Sequence, residues 1–503
     1  MRILRTSVAL FCATALSGCL TLEPKCARPA APVAPAFPTG GDAYPAASGP
    51  SAAGDGLATS KLAWSDFFTD AKLKSVIALS LRENRDLRTA ALNIVKARAQ
   101  YRVQRSELLP TVNLGANAVT GRSSSSSSSV GGSGATGTGA GTLGGGVVTG
   151  GSGATTGFGG SYRSYSVDVG FSSYELDLFG RVRSLSKEAL EQYFATEEAR
   201  RATRVSLIAE VATDYLTLAA DLQRMATERE TLKAEEATLK ITNDRFKYGI
   251  VSLLDVQQAQ IAVEAARSNI QTYLTAGAQD LNALTLVVGA PVPADLLPAG
   301  LGSELSTQAE APVGLDSAVL LQRPDVLQAE HQLRAYNADI GAARAAFFPT
   351  ISLTAQGGTS SSYLTNLFGS GTGTYSFSPN ISLPIFDYGR NRANLKISKA
   401  QRDLAVAAYE KAIQTAFRDV ADALAQRGTV DGLIASQERL VAATQGSLTL
   451  AQARYDRGAD TYLNTLTAQL NLANARQTLI SAQLTRASNL VALYRALGGG
   501  RGE

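Results

Sequence analysis

Glu175 and Asp177 are the nearest approach to a pair of catalytic carboxylates in this sequence. Paired carboxyl groups do acid–base work when they face each other across a bound substrate. Residues i and i+2 of a strand share one face instead, so these two are expected to line the watery side of a strand. His331 is the only histidine; set between Glu330 and Gln332 in a helical stretch, it is expected to be a solvated surface residue. The sequence has no nucleophile elbow, phosphate-binding glycine loop or CxxC pair. Met225 is the only methionine after the initiator, so ligands for a soft metal are lacking. No catalytic residue, metal site or cofactor is expected.

Three cysteines are present. Arg2 and Arg5 precede the apolar stretch VALFCATAL and then Leu16-Ser17-Gly18-Cys19. A positive start, a short apolar core and small residues before a break make residues 1–18 a secretory signal, too short to span a membrane. LSGC also resembles a bacterial lipobox, whose cysteine is acylated, so Cys19 is expected to carry the lipid. Cys12 leaves with the signal, and Cys26 reads as a lone thiol.

Of the 503 residues, 45% are apolar and 18% charged, the composition of an ordered protein. The net charge of +4 is not gathered into a basic stripe, so no nucleic-acid partner is expected. No later segment runs to eighteen consecutive apolar residues. If the chain spans a membrane, it must do so as a closed β-barrel.

The elements that would position any site follow from an internal repeat. LFGRVR (178–183), RFKYGIVSLLDVQQAQ (245–260) and LNALTLVVG (281–289) correspond to DYGRNR (387–392), RYDRGADTYLNTLTAQ (454–469) and LVALYRALG (490–498), all 209 residues on. Upstream, SELLPTVNL (106–114) corresponds to AAFFPTISL (345–353), 239 residues on. Each half reads helix, strand, loop, strand, long helix, tight turn, helix. Val112, Leu114, Ala116 and Ala118 alternate with small polar residues, as do Tyr375, Phe377, Ile381, Leu383 and Ile385, giving strands with one apolar face. That pattern suits a barrel with lipid outside and water inside, or a hairpin on a soluble core. Residues 121–161, nearly all Gly, Ser and Thr, and the shorter 357–374 form the hairpin loops.

Val211, Leu218, Met225, Leu232, Leu239 and Phe246 lie seven apart, flanked by Ile208, Tyr215 and Leu222. Val420, Ile434, Val441, Leu448 and Tyr455 keep the rhythm in the second half, interrupted by Arg427. This is a coiled-coil signature. The run 181–246 predicts a helix roughly 100 Å long, and 74–108 and 252–288 predict helices of about half that length, two of which would stack to match one long helix.

In this order LSGC, the W-x-x-F-F-T-D element at Trp64, NRDLRTA (84–90), ELDLFGR (175–181), RPDVLQAE (323–330), AARAAFFPTISL (342–353), LPIFDYGR (383–390) and RGADTYLNTLTAQ (457–469) resemble the outer-membrane factors of tripartite efflux systems. The likeness is to lipoproteins of the NodT and OprM type, relatives of TolC. The resemblance implies an α+β membrane protein: a long periplasmic α-helical coiled-coil barrel plus a transmembrane β-barrel with four strands per protomer, closed as a homotrimer. Four strands leave two raw edges and cannot close alone. The organisation expected is a signal peptide (1–18), a lipid-anchored tether (19–60), a first repeat (61–289), an equatorial linker (290–322), a second repeat (323–498) and a tail (499–503). The resemblance implies a periplasmic adaptor and an inner-membrane RND transporter as partners, with outer-membrane lipid around the barrel.

Gly249 and Gly458 suit the left-handed end of a helix whatever else the turns do. The resemblance adds adaptor docking at Tyr248, Gly249, Ile250, Arg457, Gly458 and Ala459, and a periplasmic gate of Asp460, Leu463, Asn464 and Thr467. Leu253, Leu254, Tyr462 and Leu463 are open to a plain core reading as well. Thr467 stands where relatives often carry an acid, and Cys26 where they usually carry an aromatic. A coiled-coil scaffold or adhesin has no need of four amphipathic strands, and a hydrolase has no chemistry here.

Overall fold

The computed structural model describes residues 21–25, 27–44, 63–122, 161–302 and 316–499. The signal sequence, Cys19, Cys26 and residues 123–160 of the first hairpin loop lie outside them. The elements are α1 (Trp64–Phe67), α2 (Ala71–Glu83), α3 (Arg85–Ser106), β1 (Asn113–Arg122), β2 (Ser161–Glu175), α4 (Arg181–Lys247), α5 (Leu253–Val288), α6 (Pro324–Ala345), β3 (Thr350–Ser361), β4 (Gly373–Ser382), α7 (Arg390–Asp456) and α8 (Tyr462–Ala496). They fall into two compact units, one holding Val103–Arg183 and Arg344–Asn391, the other the remaining helices.

The repeat is carried by the backbone. α4 and α7 each hold 67 residues and begin at Arg181 and Arg390, 209 apart; α3 and α6 each hold 22 and begin at Arg85 and Pro324, 239 apart. At about 1.5 Å per residue the two long helices each run roughly 100 Å.

In the sheet unit the strand order is β1-β2-β3-β4, all antiparallel. The register sets Leu114 beside Val169, Val169 beside Gly357 and Gly357 beside Tyr375, and likewise Phe171, Ala355 and Phe377. The intervening positions are Asn113, Gly170, Gln356 and Ser376. One face is therefore apolar and exposed, notably at Leu114, Tyr375, Phe377 and Ile381, while the other is small and polar. β1 and β4 are open edges.

Glu175 and Asp177 are not free at a watery face. Arg181 holds Glu175 bidentately through Nε (2.8 Å) and Nη2 (2.5 Å); Asp177 Oδ2 accepts the Arg183 backbone N–H (2.9 Å) and its Nε (3.1 Å). Two basic residues at the start of α4, read in the sequence only as part of a motif, take both carboxylates. They fix the strand-to-helix corner.

The two largest clusters of buried side chains lie in the helical unit. In one, Phe67 and Phe68 of the W-x-x-F-F-T-D element pack on Tyr494 with Phe67 4.9 Å from its ring, and Asp70 caps α2 by accepting from the amides of Lys72 (2.7 Å) and Leu73 (3.3 Å). In the other, Phe37 stacks on Phe417 at 4.9 Å, and Arg28 donates to Tyr409 Oη (3.0 Å) and Glu330 Oε2 (2.8 Å). Residues 27–44, expected as a plain tether, are thus extended but strapped onto the helices. Burial of the Phe37 ring and the hydrogen bonds of Arg28 outweigh the freedom a Pro-rich chain would retain.

Two further expectations change. The helix predicted over 74–108 is broken at Asn84, whose Oδ1 accepts the Leu87 amide (2.8 Å) as the cap of α3 while its Nδ2 donates to Val287 O (2.6 Å) at the end of α5. A Cβ on Gly289 would stand 2.6 Å from Glu83 O, so α5 ends against this break. His331 is not solvated: it is half-buried, with Nδ1 2.7 Å from Glu191 Oε2 and its ring 5.4 Å from that of Phe194. A polar neighbourhood along one helix hid an acid and an aromatic on another.

The heptad rhythm holds along the near half of α4, where Ile208, Val211, Tyr215 and Leu218 are buried. Beyond Asp221 the rhythm continues one stripe over. Met225, Leu232 and Leu239 are half-buried and Phe246 exposed, whereas Asp221, Glu228, Glu235 and Thr242, also seven apart, are buried.

Candidate functional site

The two turns that join the long helices to their return helices share one geometry. After α4 the Gly249 amide donates to Phe246 O and the Ile250 amide to Arg245 O, both at 2.9 Å; after α7 the amides of Gly458 and Ala459 donate to Tyr455 O and Arg454 O, also at 2.9 Å. This is a Schellman ending. It needs a left-handed residue at its centre, and Gly249 and Gly458 both have φ of 69°, a conformation that costs other residues roughly 1–2 kcal/mol.

The return helices start differently. Ser252 and Asp255 form a capping box on α5, with the Asp255 amide donating to Ser252 Oγ and the Ser252 amide to Asp255 Oδ2. At the equivalent place on α8, Thr461 makes no side-chain cap. Asp460 does the work instead, accepting the Thr461 amide (2.8 Å) and Asn464 Nδ2 (2.6 Å) on Oδ1 and pairing with Arg454 Nε (3.2 Å) through Oδ2. Hydrogen bonds from that amide and from Asn464, aided by the Arg454 charge, hold the Asp460 carboxyl below its usual range.

The structure brings Asp460 and Asn464 together, and Thr467 Oγ1 donates back to Leu463 O at 2.8 Å. Tyr248, Ile250, Arg457 and Ala459 are exposed around the turns. Of the four large residues beside the turns, only Tyr462 is core, fully buried against Tyr455 at 5.4 Å; Leu253, Leu254 and Leu463 stand exposed. In this single chain Leu463 (53% exposed) and its repeat mate Leu254 (65%) are alike.

Sequence reasoning missed the residues that tie the two hairpins together. Arg245 Nη2 pairs with Asp456 Oδ1 at 3.0 Å and its guanidinium lies 5.0 Å from the centre of the Tyr455 ring. Arg245 and Arg454 are repeat mates, a signal the 209-residue offset contained, but the offset alone could not say that one reaches across and the other stays in its own turn.

Residues 76–290 and 315–499 match the family model described as outer membrane efflux protein. The chain belongs to that family. A curated relative, the probable efflux pump outer membrane protein TtgC of Pseudomonas putida, is 44% identical over 96% of this chain and 93% of its own. The outer membrane protein OprJ of Pseudomonas aeruginosa is 40% identical over 98% and 95%. Among solved structures, the open state of the MtrE outer membrane channel of Neisseria gonorrhoeae superposes with a TM-score of 0.80 at 38% identity, covering 96% of this chain and 98% of that one. Membership places the chain at the outer membrane and accounts for the fold: four strands toward a barrel, and paired helical hairpins toward a coiled-coil barrel, in a twofold repeat. The family is one of efflux proteins and not of enzymes. Among the described residues no helix is long and apolar enough to cross a membrane, and no group of three or more His, Cys, Asp and Glu is placed to hold a metal ion.

Proposed function

We propose that this chain is the outer-membrane channel subunit of a tripartite efflux pump, a passive conduit through which drugs or other toxic small molecules leave the cell. The observation that carries the reading is the four-stranded sheet with two open edges and an outward apolar face. Such a sheet cannot close alone, and membrane barrels need about eight strands or more. Three copies supply twelve strands, and their hairpins converge into one tube. Whole-length similarity to a protein named as a probable efflux pump outer membrane protein supports the same reading.

In this reading Cys19 carries the lipid that anchors the mature chain, and residues 19–60 tether it. Residues 61–289 and 323–498 are the two repeats, with 290–322 linking them at the tube's equator. The exposed turn residues Tyr248, Gly249, Ile250, Arg457, Gly458 and Ala459 receive a periplasmic adaptor, which also holds an inner-membrane RND transporter that supplies the energy. Leu463 forms the apolar ring of a periplasmic gate, with Asp460, Asn464 and Thr467 as its polar levels. Hydrophobic constrictions of this kind close by dewetting. Native mass measurement of the detergent-extracted protein tests the assembly: a species of three chains is expected, and a stable monomer or dimer would refute it.

A further inference from the structure

The two halves of the repeat touch at defined residues. In the sheet unit Leu176, just past β2, donates its amide to Ile351 O at 2.8 Å, with Tyr174 beside Leu353 and Glu175 beside Ser352. At the corner that follows, the Phe179 ring stacks on Phe348 at 4.7 Å. Within the helical unit α4 of the first half meets α6 of the second, where His331 lies 2.7 Å from Glu191 and its ring 5.4 Å from that of Phe194.

Each member of these contacts has a counterpart in the other half, 209 residues on for the first half and 239 back for the second. The counterparts in the sheet unit do not meet within the chain: β1 and β4 are the two ends of the sheet, three strand spacings or about 14 Å apart. Tyr388, the counterpart of Phe179, is 91% exposed, and Leu109, the counterpart of Phe348, is 72% exposed. Phe386 lies against Tyr388 with ring centres 4.6 Å apart and is exposed as well. On α3 Leu92, the counterpart of His331, is exposed together with Val95, and on α7 Leu404, the counterpart of the buried Ala195, together with Ile397. Residues three or seven apart share one helix face. Each place where one half would receive another thus shows large apolar side chains to solvent, which marks an interaction surface.

We propose that these surfaces form one interface for a second copy of this chain, in which the contact between the two halves is repeated across the boundary residue for residue. Leu383 lies beside Leu114 of the next copy and Pro384 beside Asn113, the Ile385 amide donates to Val112 O, and the rings of Tyr388 and Phe386 seat on Leu109. On the helices, Ile397 and Leu404 of one copy cover Leu92 and Val95 of the next. The interface rests on the reading of several copies closing one barrel, and it fixes the register in which they close.

The hydrogen-bonding directions of the free edge agree. Ser360 donates to Thr372 O, so the even-numbered residues of β4 turn their amides to β3 and the odd-numbered ones turn theirs to the open edge. Continued past the strand end, this alternation leaves Ile385 to donate outward as Leu176 does. Pro379 is the one odd-numbered residue of β4 without an N–H, so the ladder lacks a bond there and more of the hold falls to the corner.

Disulfide trapping in membranes, in a Cys26→Ser background, tests the register. Pro384→Cys with Asn113→Cys would occupy a non-hydrogen-bonded pair, whose Cα atoms lie about 4.5 Å apart and within disulfide reach. Oxidation is expected to give covalent species of two and three chains, since the two cysteines of one chain are too far apart to bridge. Pairing Pro384→Cys with Thr111→Cys or Gly115→Cys, two residues off register, should trap about tenfold less. Equal or stronger trapping off register, or none with Asn113→Cys, in protein that native mass measurement still finds as three chains, would overturn the interface and leave the conduit reading intact. Protein that remains single chains and traps with no pair would overturn both.

Detergent dissociation of the assembly reads the corner separately. Tyr388→Ala and Leu109→Ala are each expected to speed it about tenfold or more, and the double variant to fall short of the product because the two share one contact. Tyr363→Ala, at an exposed tyrosine on the β3–β4 loop outside the interface, should leave the rate unchanged. Multiplicative effects, or an equal effect from Tyr363→Ala, would overturn the corner contact.

Discussion

Arg245, in the last turn of the first long helix, pairs with Asp456, the last residue of the second, at 3.0 Å. Its repeat mate Arg454 pairs with Asp460 in its own turn at 3.2 Å. The duplication has therefore been used unequally: one arginine ties hairpin to hairpin, and the other stiffens a turn that lacks a capping box.

Arg245→Ala should release the second hairpin. The ion pair is partly exposed and worth up to about 1 kcal/mol, and the contact with the Tyr455 ring adds about 0.5–1 kcal/mol. Open probability of the reconstituted channel should rise several-fold to about twentyfold. Asp456→Asn should do less, and the double variant should fall short of the product of the two, since they share one interaction. Independent, multiplicative effects would show that the pair does not hold the hairpins.

Gly249→Ala and Gly458→Ala should loosen the turns without a clash, because a Cβ at either position meets nothing within 4 Å. The cost is conformational, roughly 1–2 kcal/mol. Hydrogen exchange at the Ile250 and Ala459 amides should accelerate about five- to thirtyfold in the respective variants, and less in Gly→Asn variants, which tolerate the left-handed region. Equal exchange in Ala and Asn variants would contradict this account of the turns.

Glu188 gives a pH dependence with a definite sign. Its burial on α4, then the nearby Asp339 charge, push its carboxyl up to about 7 against a lowering bond from Gln192. Being raised in the folded state, it contributes stability present below its unfolded value and lost as pH rises through about 7. Glu188→Gln should raise the melting temperature relative to wild type at pH 8 and lose that advantage by pH 5. A constant difference across this range would mean the carboxyl is not perturbed.

Acylation of Cys19 is checked by mass spectrometry of the mature N-terminus. Lipid mass on a chain beginning at Cys19 is expected, and an unmodified start at another residue would sink it. Cys19→Ala should still give oligomers, because the strands and not the lipid span the bilayer in this account.

Much of the fold was legible because the repeat fixes it twice. The long helices begin at Arg181 and Arg390, at the LFGR and DYGR motifs, and Gly249 and Gly458 mark both turns. The break at Asn84 was not legible: an asparagine inside a helical stretch signals a cap only once Val287 arrives from 203 residues away. The strap was hidden for a similar reason, since Phe37 and Arg28 find their partners at Phe417, Tyr409 and Glu330. In the site, the turns could be read from glycine chemistry, but the buried acids along α4 could not. A periodicity search weighs apolar residues, and the deepest stripe of the far half of α4 is Asp221, Glu228, Glu235 and Thr242.

Single-channel recording from the purified protein, alone in a planar bilayer, tests the central claim most directly. Discrete, long-lived conductance steps are expected from the wild type. They should grow in Leu463→Ser, which wets the apolar ring, and change much less in Leu254→Ser on the first hairpin. A larger effect from Leu254 would place the gate on the wrong hairpin. Inserted protein that gives no steps in any of the three would contradict the account of this chain as a conduit.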